Sequence, residues 1–344
     1  MAAASVLRAL AELPVIQAPM AGVQGSALAI SVSEAGGLGS LPCAMLTPDQ
    51  MRAELTAIRA ATDKPFNVNF FCHTPPVPDA DRETRWRAAL APYYKEFDID
   101  AAQISAGAGR APFSAEAADV LDDFKPAVVS FHFGLPPSNL LARVKALGST
   151  ILGCATTVDE ALWLESRGVD AIIAQGFEAG GHRGMFLSDD VTTQVGTFAL
   201  VRQIARVVTI PVIAAGGIAD SAGVAAALSL GASAVQIGTA YLLCPESTTR
   251  PVHRTALQNT RHTAITRLFS GRPARGIVNR LIEDLGAMSD LAPTFPLAAT
   301  ALAPLRAAAE ARGDGGFSPL WCGQNATGCA EISAAELTRR LAAI

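Results

Sequence analysis

The chain has 344 residues, half of them hydrophobic and only 17% charged, which is apolar material for one large core or two ordinary domains. A formal net charge of -4, with no basic stripe and no aromatic-interleaved Lys/Arg cluster, argues against nucleic acid as a partner. The six cysteines (Cys43, Cys72, Cys154, Cys244, Cys322 and Cys329) are scattered and form no C-x-x-C pair, which suggests neither a disulfide framework nor a zinc site and reads as the reduced thiols of a cytoplasmic protein.

In chain order, the first residues do not read as a secretory leader, because Arg8 is their only early base, Glu12 follows and the apolar run breaks at Pro14. No run reaches the ~18 apolar residues of a membrane span. Short apolar runs then predict strands at 15–20, 38–41, 66–71, 127–133, 150–155, 171–175, 212–215 and 234–238. Longer amphipathic or Ala-rich stretches between them predict helices, among them 47–62, 138–147, 158–167, 197–207 and 221–230. Thr47-Pro48 reads as an N-cap followed by proline at the first helical position, and Gly168 and Gly231 read as C-caps.

Strand–helix alternation calls for a parallel sheet in an α/β fold, and eight repeats favour closure into a (β/α)8 TIM barrel over an open doubly wound sheet. Two stretches break the rhythm. Segment 74–124 is marked by Pro75, Pro76 and Pro78 and is then helical; segment 245–317 carries helical patterns with Pro273, Pro293 and Pro296. The expected organisation is a barrel from 1–244 and 318–344, with 245–317 as a smaller, mostly helical domain covering the C-terminal mouth.

Barrels place function where strands end and helices begin. The glycines of Ala215-Gly216-Gly217-Ile218 and Gln236-Ile237-Gly238-Thr239 let backbone approach a ligand and aim N–H groups at it, the usual barrel phosphate site, with Thr239 adding a hydroxyl. The alternative is a tight strand–helix turn. In Gly180-Gly181-His182-Arg183-Gly184 the glycines would clear room for a planar ring, and His182 would project from a flexible segment. His182 is then either a base for an acidic C–H or a turn histidine satisfied by backbone, and Arg183 either orients an anion or is a solvated charge. Alternation sets His132 opposite Phe131 and Phe133, so the phenylalanines would face the helices and His132 the interior. Asn67, Asn69 and Gln175 are strand-end amides that could bind a flavin edge or cap loop backbone. His73, His253 and His262 lack a motif and read as structural, and no cluster points to a metal.

With these motifs assembled, the chain resembles the nitronate monooxygenase family over nearly its full length. The carriers are Gln17-Ala18-Pro19-Met20-Ala21-Gly22, Phe66-Asn67-Val68-Asn69, Ser130-Phe131-His132-Phe133-Gly134, the loop from Gln175 to Gly184, the two phosphate loops, and Leu320-Trp321-Cys322-Gly323-Gln324. The glycine–histidine loop is shared with flavin-dependent enoyl-ACP reductases, whereas the Ser-Phe-His-Phe-Gly strand is narrower. The resemblance implies FMN held by Met20, Asn69, Gln175, Gly180, Gly181, Gly216, Gly217, Gln236, Gly238, Thr239 and Gln324. It implies His182 as catalytic base with His132 near the substrate. The implied reaction is oxidation of an alkyl nitronate, or its parent nitroalkane, by dioxygen to a carbonyl compound and nitrite. The implied partners are these small molecules, with a homo-oligomer left open. The competing reading is an NAD(P)H-dependent flavin reductase acting on quinones or enoyl thioesters. In the covering segment Phe269, Phe295 and Phe317 stand where tyrosines are expected of some members.

Overall fold

The computed structural model describes residue 7 and residues 9–104, 110–259 and 262–344. The reading of the N-terminus, and of parts of segments 74–124 and 245–317, therefore falls on some residues outside the described ones.

Strands β1 (Val15–Gln17), β2 (Gly39–Pro42), β3 (Phe66–Phe71), β4 (Val128–His132), β5 (Thr150–Ala155) and β6 (Ala171–Gln175) follow one another around a parallel barrel. A two-residue strand, β7 (Gly181–His182), stands apart, and β8 (Val212–Ala215) and β9 (Ala234–Ile237) complete the eight, in the order β1-β9-β8-β6-β5-β4-β3-β2. The ring closes where Ile16 bridges Leu38 in parallel and the Gln17 N–H donates to the Leu38 carbonyl at 2.9 Å.

The strands are continuous apolar runs because both faces are buried. In β6, Ala171 and Ile173 point into the barrel with Ile16, Leu38 and Leu152, while Ile172 and Ala174 point outward with Val15, Val68 and Phe131 under the helices. The period of two thus builds two concentric apolar layers. The outer helices form where expected. Thr47 and Gln50 make a reciprocal capping box on helix Pro48–Ala61, and Gly168 and Gly231 end their helices at φ 70° and 105°.

A second apolar cluster, separate from the barrel core, gathers residues of both irregular stretches. Helix Ala298–Ala311 supplies Leu302 and Leu305, and helix Ala80–Glu96 from the other irregular stretch supplies Trp86, Leu90 and Tyr94. Trp86 is fully buried and donates its indole N–H to the Ala298 carbonyl at 3.2 Å. Segment 245–317 also contains strands β10 (Thr263–Thr266) and β11 (Ala274–Ile277), which helical patterning did not foresee. They pair antiparallel, and β11 pairs in turn with β7. A Trp86→Ala substitution should cost about 3–5 kcal/mol in urea unfolding; a loss under ~1 kcal/mol would show that helix Ala80–Glu96 does not anchor the cover.

Candidate active site

The strand ends converge on one cavity at the C-terminal rim. Met20, Asn69, His132, Gln175, Gly180, Gly181, His182, Gly216, Gly217, Gln236, Gly238 and Thr239 all line it. Gln324 does not: its side chain is exposed and its N–H is held by the Glu178 carbonyl at 2.9 Å, while its neighbours Gly323 and Asn325 face the cavity. An irregular return has no period from which the facing of a single residue could be assigned.

Gly216 and Gly217 have φ of 115° and 74°, so other side chains there would be strained. Across from them a 3-10 turn, Thr239–Leu243, begins, and its leading N–H groups have no intrahelical acceptor. The Thr239 hydroxyl accepts from the Gly323 N–H at 2.9 Å, which leaves its own O–H free to donate. The loops therefore present several donors to one place.

The amides divide their work. Gln175 is consumed by the loop it faces: Nε2 donates to the His182 carbonyl at 3.0 Å and Oε1 accepts from the Gly184 N–H at 2.7 Å. Asn69 donates to Ser130 Oγ at 2.9 Å. Asn67 donates to Ser40 Oγ at 3.0 Å, below the cavity. Gln236, in contrast, lines the cavity with its Oε1 buried and without a partner among the described residues.

The glycine–histidine loop is not a flexible segment. Gly181 and His182 pair with Arg275 and Ala274, and the Arg183 N–H donates to the Pro273 carbonyl at 2.8 Å. A Cβ on Gly180 would lie 2.5 Å from the Gly323 nitrogen, so that glycine admits the return segment rather than a ligand ring. A Cβ on Gly181 meets nothing within 4 Å, so Gly181 is the one that leaves room.

Arg183 is neither an anion clamp nor a solvated charge. It is fully buried, and its guanidinium donates to Gln194 Oε1 at 2.9 Å and to the carbonyls of Gly176 at 2.6 Å and Gln175 at 2.7 Å. Burial lowers its pKa to about 10, so it stays charged at neutral pH. It ties the end of β6 to the loop that carries His182.

His182 Nε2 is 2.8 Å from Ser270 Oγ on the β10–β11 connection, while Nδ1 has no protein partner among the described residues. The rings of Phe71, Phe133, Phe295 and Trp321 surround it at 6.2, 6.0, 5.3 and 5.4 Å. Burial first, and then the charge of Arg110, hold this imidazole well below its usual pKa. His132 is likewise held neutral, at about 3, by burial and then by Arg272. Its Nε2 faces the His182 carbonyl at 3.3 Å, and since a carbonyl only accepts, that nitrogen carries the ring proton. A Cβ on Gly184 would lie 2.9 Å from His132 Cε1, so glycine lets the loop close over this ring.

Phe131 faces the helix layer with Phe70 and Phe113, as alternation requires. Phe133 does not. The strand ends at His132, Phe133 turns at φ 69°, and its ring joins the mouth 4.8 Å from Phe71 and under the Arg272 guanidinium at 4.2 Å.

Several contributors were not singled out from the sequence. Ser270, Arg110 and Arg272 lie in irregular segments with no spacing to recommend them. His253 and His73, expected to be structural, stand directly behind the site: His253 Nε2 is 3.0 Å from the Trp321 carbonyl and His73 Nε2 is 3.0 Å from the Arg110 carbonyl. Among the described residues no group of three or more His, Cys, Asp or Glu side chains could hold a metal, and no helix is long and apolar enough to cross a membrane.

These histidines give the fold a pH dependence. His132, His182 and His253 (the last held at about 4 by burial) bind protons less readily folded than unfolded, where the value is 6.5. The unfolded chain therefore takes up more protons below pH 6.5, and stability falls as pH falls, by up to about 1.4 kcal/mol per pH unit for each ring. Urea midpoints at pH 7 and pH 5 measure this; equal midpoints would contradict neutral burial of these rings.

The nitronate monooxygenase family model matches residues 4–343. Nitronate monooxygenases of Pseudomonas aeruginosa and Paraburkholderia phytofirmans are each 45% identical to the chain, over 333 and 341 residues. The alignments cover 95% of this chain and, respectively, 95% and 91% of those proteins. A solved structure of nitroalkane oxidase from Streptomyces ansochromogenes matches with a TM-score of 0.90 at 39% identity, over 98% of this chain and 97% of that one. The structure of FabK from Thermotoga maritima matches with a TM-score of 0.73 at 29% identity, over 99% and 94%. A barrel mouth built from the glycine–histidine loop and the two donor loops, together with these likenesses, leads to one statement: the chain belongs to the nitronate monooxygenase family and is an oxidoreductase.

Proposed function

We propose that this enzyme uses FMN to oxidise alkyl nitronates with dioxygen, giving a carbonyl compound and nitrite, and that His182 extends the reaction to neutral nitroalkanes. The observation that carries this reading is a neutral imidazole, open at Nδ1, in the same cavity as a glycine-built cradle of hydrogen-bond donors.

The residues present suit FMN. The loops at Gly216–Gly217 and Gly238–Thr239 offer backbone and hydroxyl donors to a phosphate. The buried, unpaired Gln236 Oε1 calls for a donor, and a flavin's pyrimidine edge has an N–H. Met20, Asn69 and Gly181 complete the wall, while Gln175 acts by holding the loop. Bound FMN supplies the redox chemistry, namely oxidation of the carbanion-like nitronate and reaction with dioxygen.

The chain's own residues prepare the substrate. His182 Nδ1 takes the α-proton of a neutral nitroalkane while Ser270 holds the ring through Nε2. Arg110, which lines the cavity and whose charge depresses the basicity of His182, stabilises the negative charge that develops on the nitro oxygens. The resulting anion beside the imidazolium offsets the cost of protonating a ring in cationic surroundings. Phe71, Phe133, Phe295 and Trp321 keep water from the reacting carbon. The base form persists below pH 6.5, so the acid limb of kcat/KM for a neutral nitroalkane lies under that value.

Replacing His182 with Asn should lower aerobic nitrite release from neutral nitroethane by ~10²–10⁴-fold, while release from pre-formed ethyl nitronate falls by less than ~10-fold. Equal losses on both substrates would remove His182 from the role of base. Anaerobic addition of NADPH should leave the flavin oxidised; rapid bleaching would favour the reductase reading.

A further inference from the structure

A second recess opens beside the catalytic cavity and shares three walls with it, Met45, Arg110 and Trp321. It is otherwise mostly apolar. Phe269 and Leu302 line it, and helix Ala298–Ala311 presents Ala299, Ala303 and Ala307 where larger side chains would fill it. The path from the base into this recess is aromatic: the His182 and Trp321 rings lie 5.4 Å apart, and Trp321 meets Phe269 edge-on at 5.7 Å. Ser270, which holds His182 Nε2 at 2.8 Å, also lines the recess.

Charge at the two ends differs. Arg250 and Arg306 lie at the recess and both pair with Glu310, Arg306 at 2.8 Å. Arg110, at the junction with the catalytic cavity, has no carboxylate partner among the described residues. An anionic group is thus called for at the junction, where the nitro group belongs, and not in the recess.

We propose that the recess receives an extended, uncharged apolar substituent, so that the enzyme favours long-chain alkyl nitronates, with Ala303 and Ala307 setting the permitted length. This rests on the nitronate reading above and names the substrate class for it. Burial of methylenes along Trp321, Phe269 and the helix removes apolar surface from water. Each methylene that the recess buries is worth about two- to fourfold in kcat/KM.

The test follows nitrite release by the holoenzyme from the nitronates of nitroethane, 1-nitrobutane, 1-nitrohexane and 1-nitrooctane, and from 8-nitrooctanoate. The same preparation is titrated by calorimetry with 1-butanol and 1-octanol. We expect kcat/KM to climb along the alkyl series, 8-nitrooctanoate to be no better than 1-nitrooctane, and Ala303→Phe to cut the 1-nitrooctane to nitroethane ratio at least tenfold. If Ala303→Phe does not fold by circular dichroism, Ala307→Leu takes its place. A flat series, or a ratio unmoved by substitution, would overturn the proposal, as would a marked preference for the carboxylate. If no nitronate yields nitrite, the functional reading fails instead. In that event 1-octanol binding that is tighter than 1-butanol binding and is lost on substitution upholds the recess as an apolar-chain site, and equal binding of the two alcohols overturns it.

Discussion

The site depends on a two-residue strand. Gly181 and His182 pair with Arg275 and Ala274, and this contact joins the barrel to the segment that covers it. Through it the β10–β11 connection delivers Ser270 to His182 and Arg272 to Phe133. Further along the same edge of β11 Gly276 bridges Trp321, the Arg275 carbonyl accepts from the Cys322 N–H at 3.3 Å, and Gly323 reaches Thr239. One strand of segment 245–317 thus sets His182, an aromatic wall and the return segment against the loops after β8 and β9. Without the pairing, His182 would be a loop residue whose aim is averaged over many conformers.

His182 is a neutral imidazole held among cations. Arg110 and Arg272 act on His182 from the cover side, while Arg183 lies buried beneath the loop. Arg183 makes three bonds from a charged donor, each worth roughly 1.5–3 kcal/mol net of desolvation. Arg183 fixes the carbonyls of Gln175 and Gly176, and Gln175 in turn fixes the loop through both ends of its amide.

Much of this was legible in the sequence for identifiable reasons. The eight strands are apolar runs bounded by turn residues, and that signal survives because both faces of each strand are buried. Rim residues follow from strand ends, so the sequence alone groups His132, Gln175, Gly217 and Thr239, which line one cavity. Legibility stopped where the backbone loses its period. Alternation predicted the facing of Phe131 and failed one strand-end later at Phe133, which takes a left-handed φ. Strands β10 and β11 are four residues each inside a helical context, and the burial of Arg183 comes from carbonyl partners that no local pattern reveals. Ser270 and Arg110 reach the site by tertiary packing alone.

The central claim is that His182 is a neutral, positioned imidazole in the resting enzyme. Nitrogen-15 NMR of histidine-labelled protein, assigned by comparison with His182→Asn, measures this directly. The account predicts a His182 ring that remains neutral as pH is lowered through 6.5, with its proton on one nitrogen throughout. A ring that titrates at or above 6.5 would contradict it.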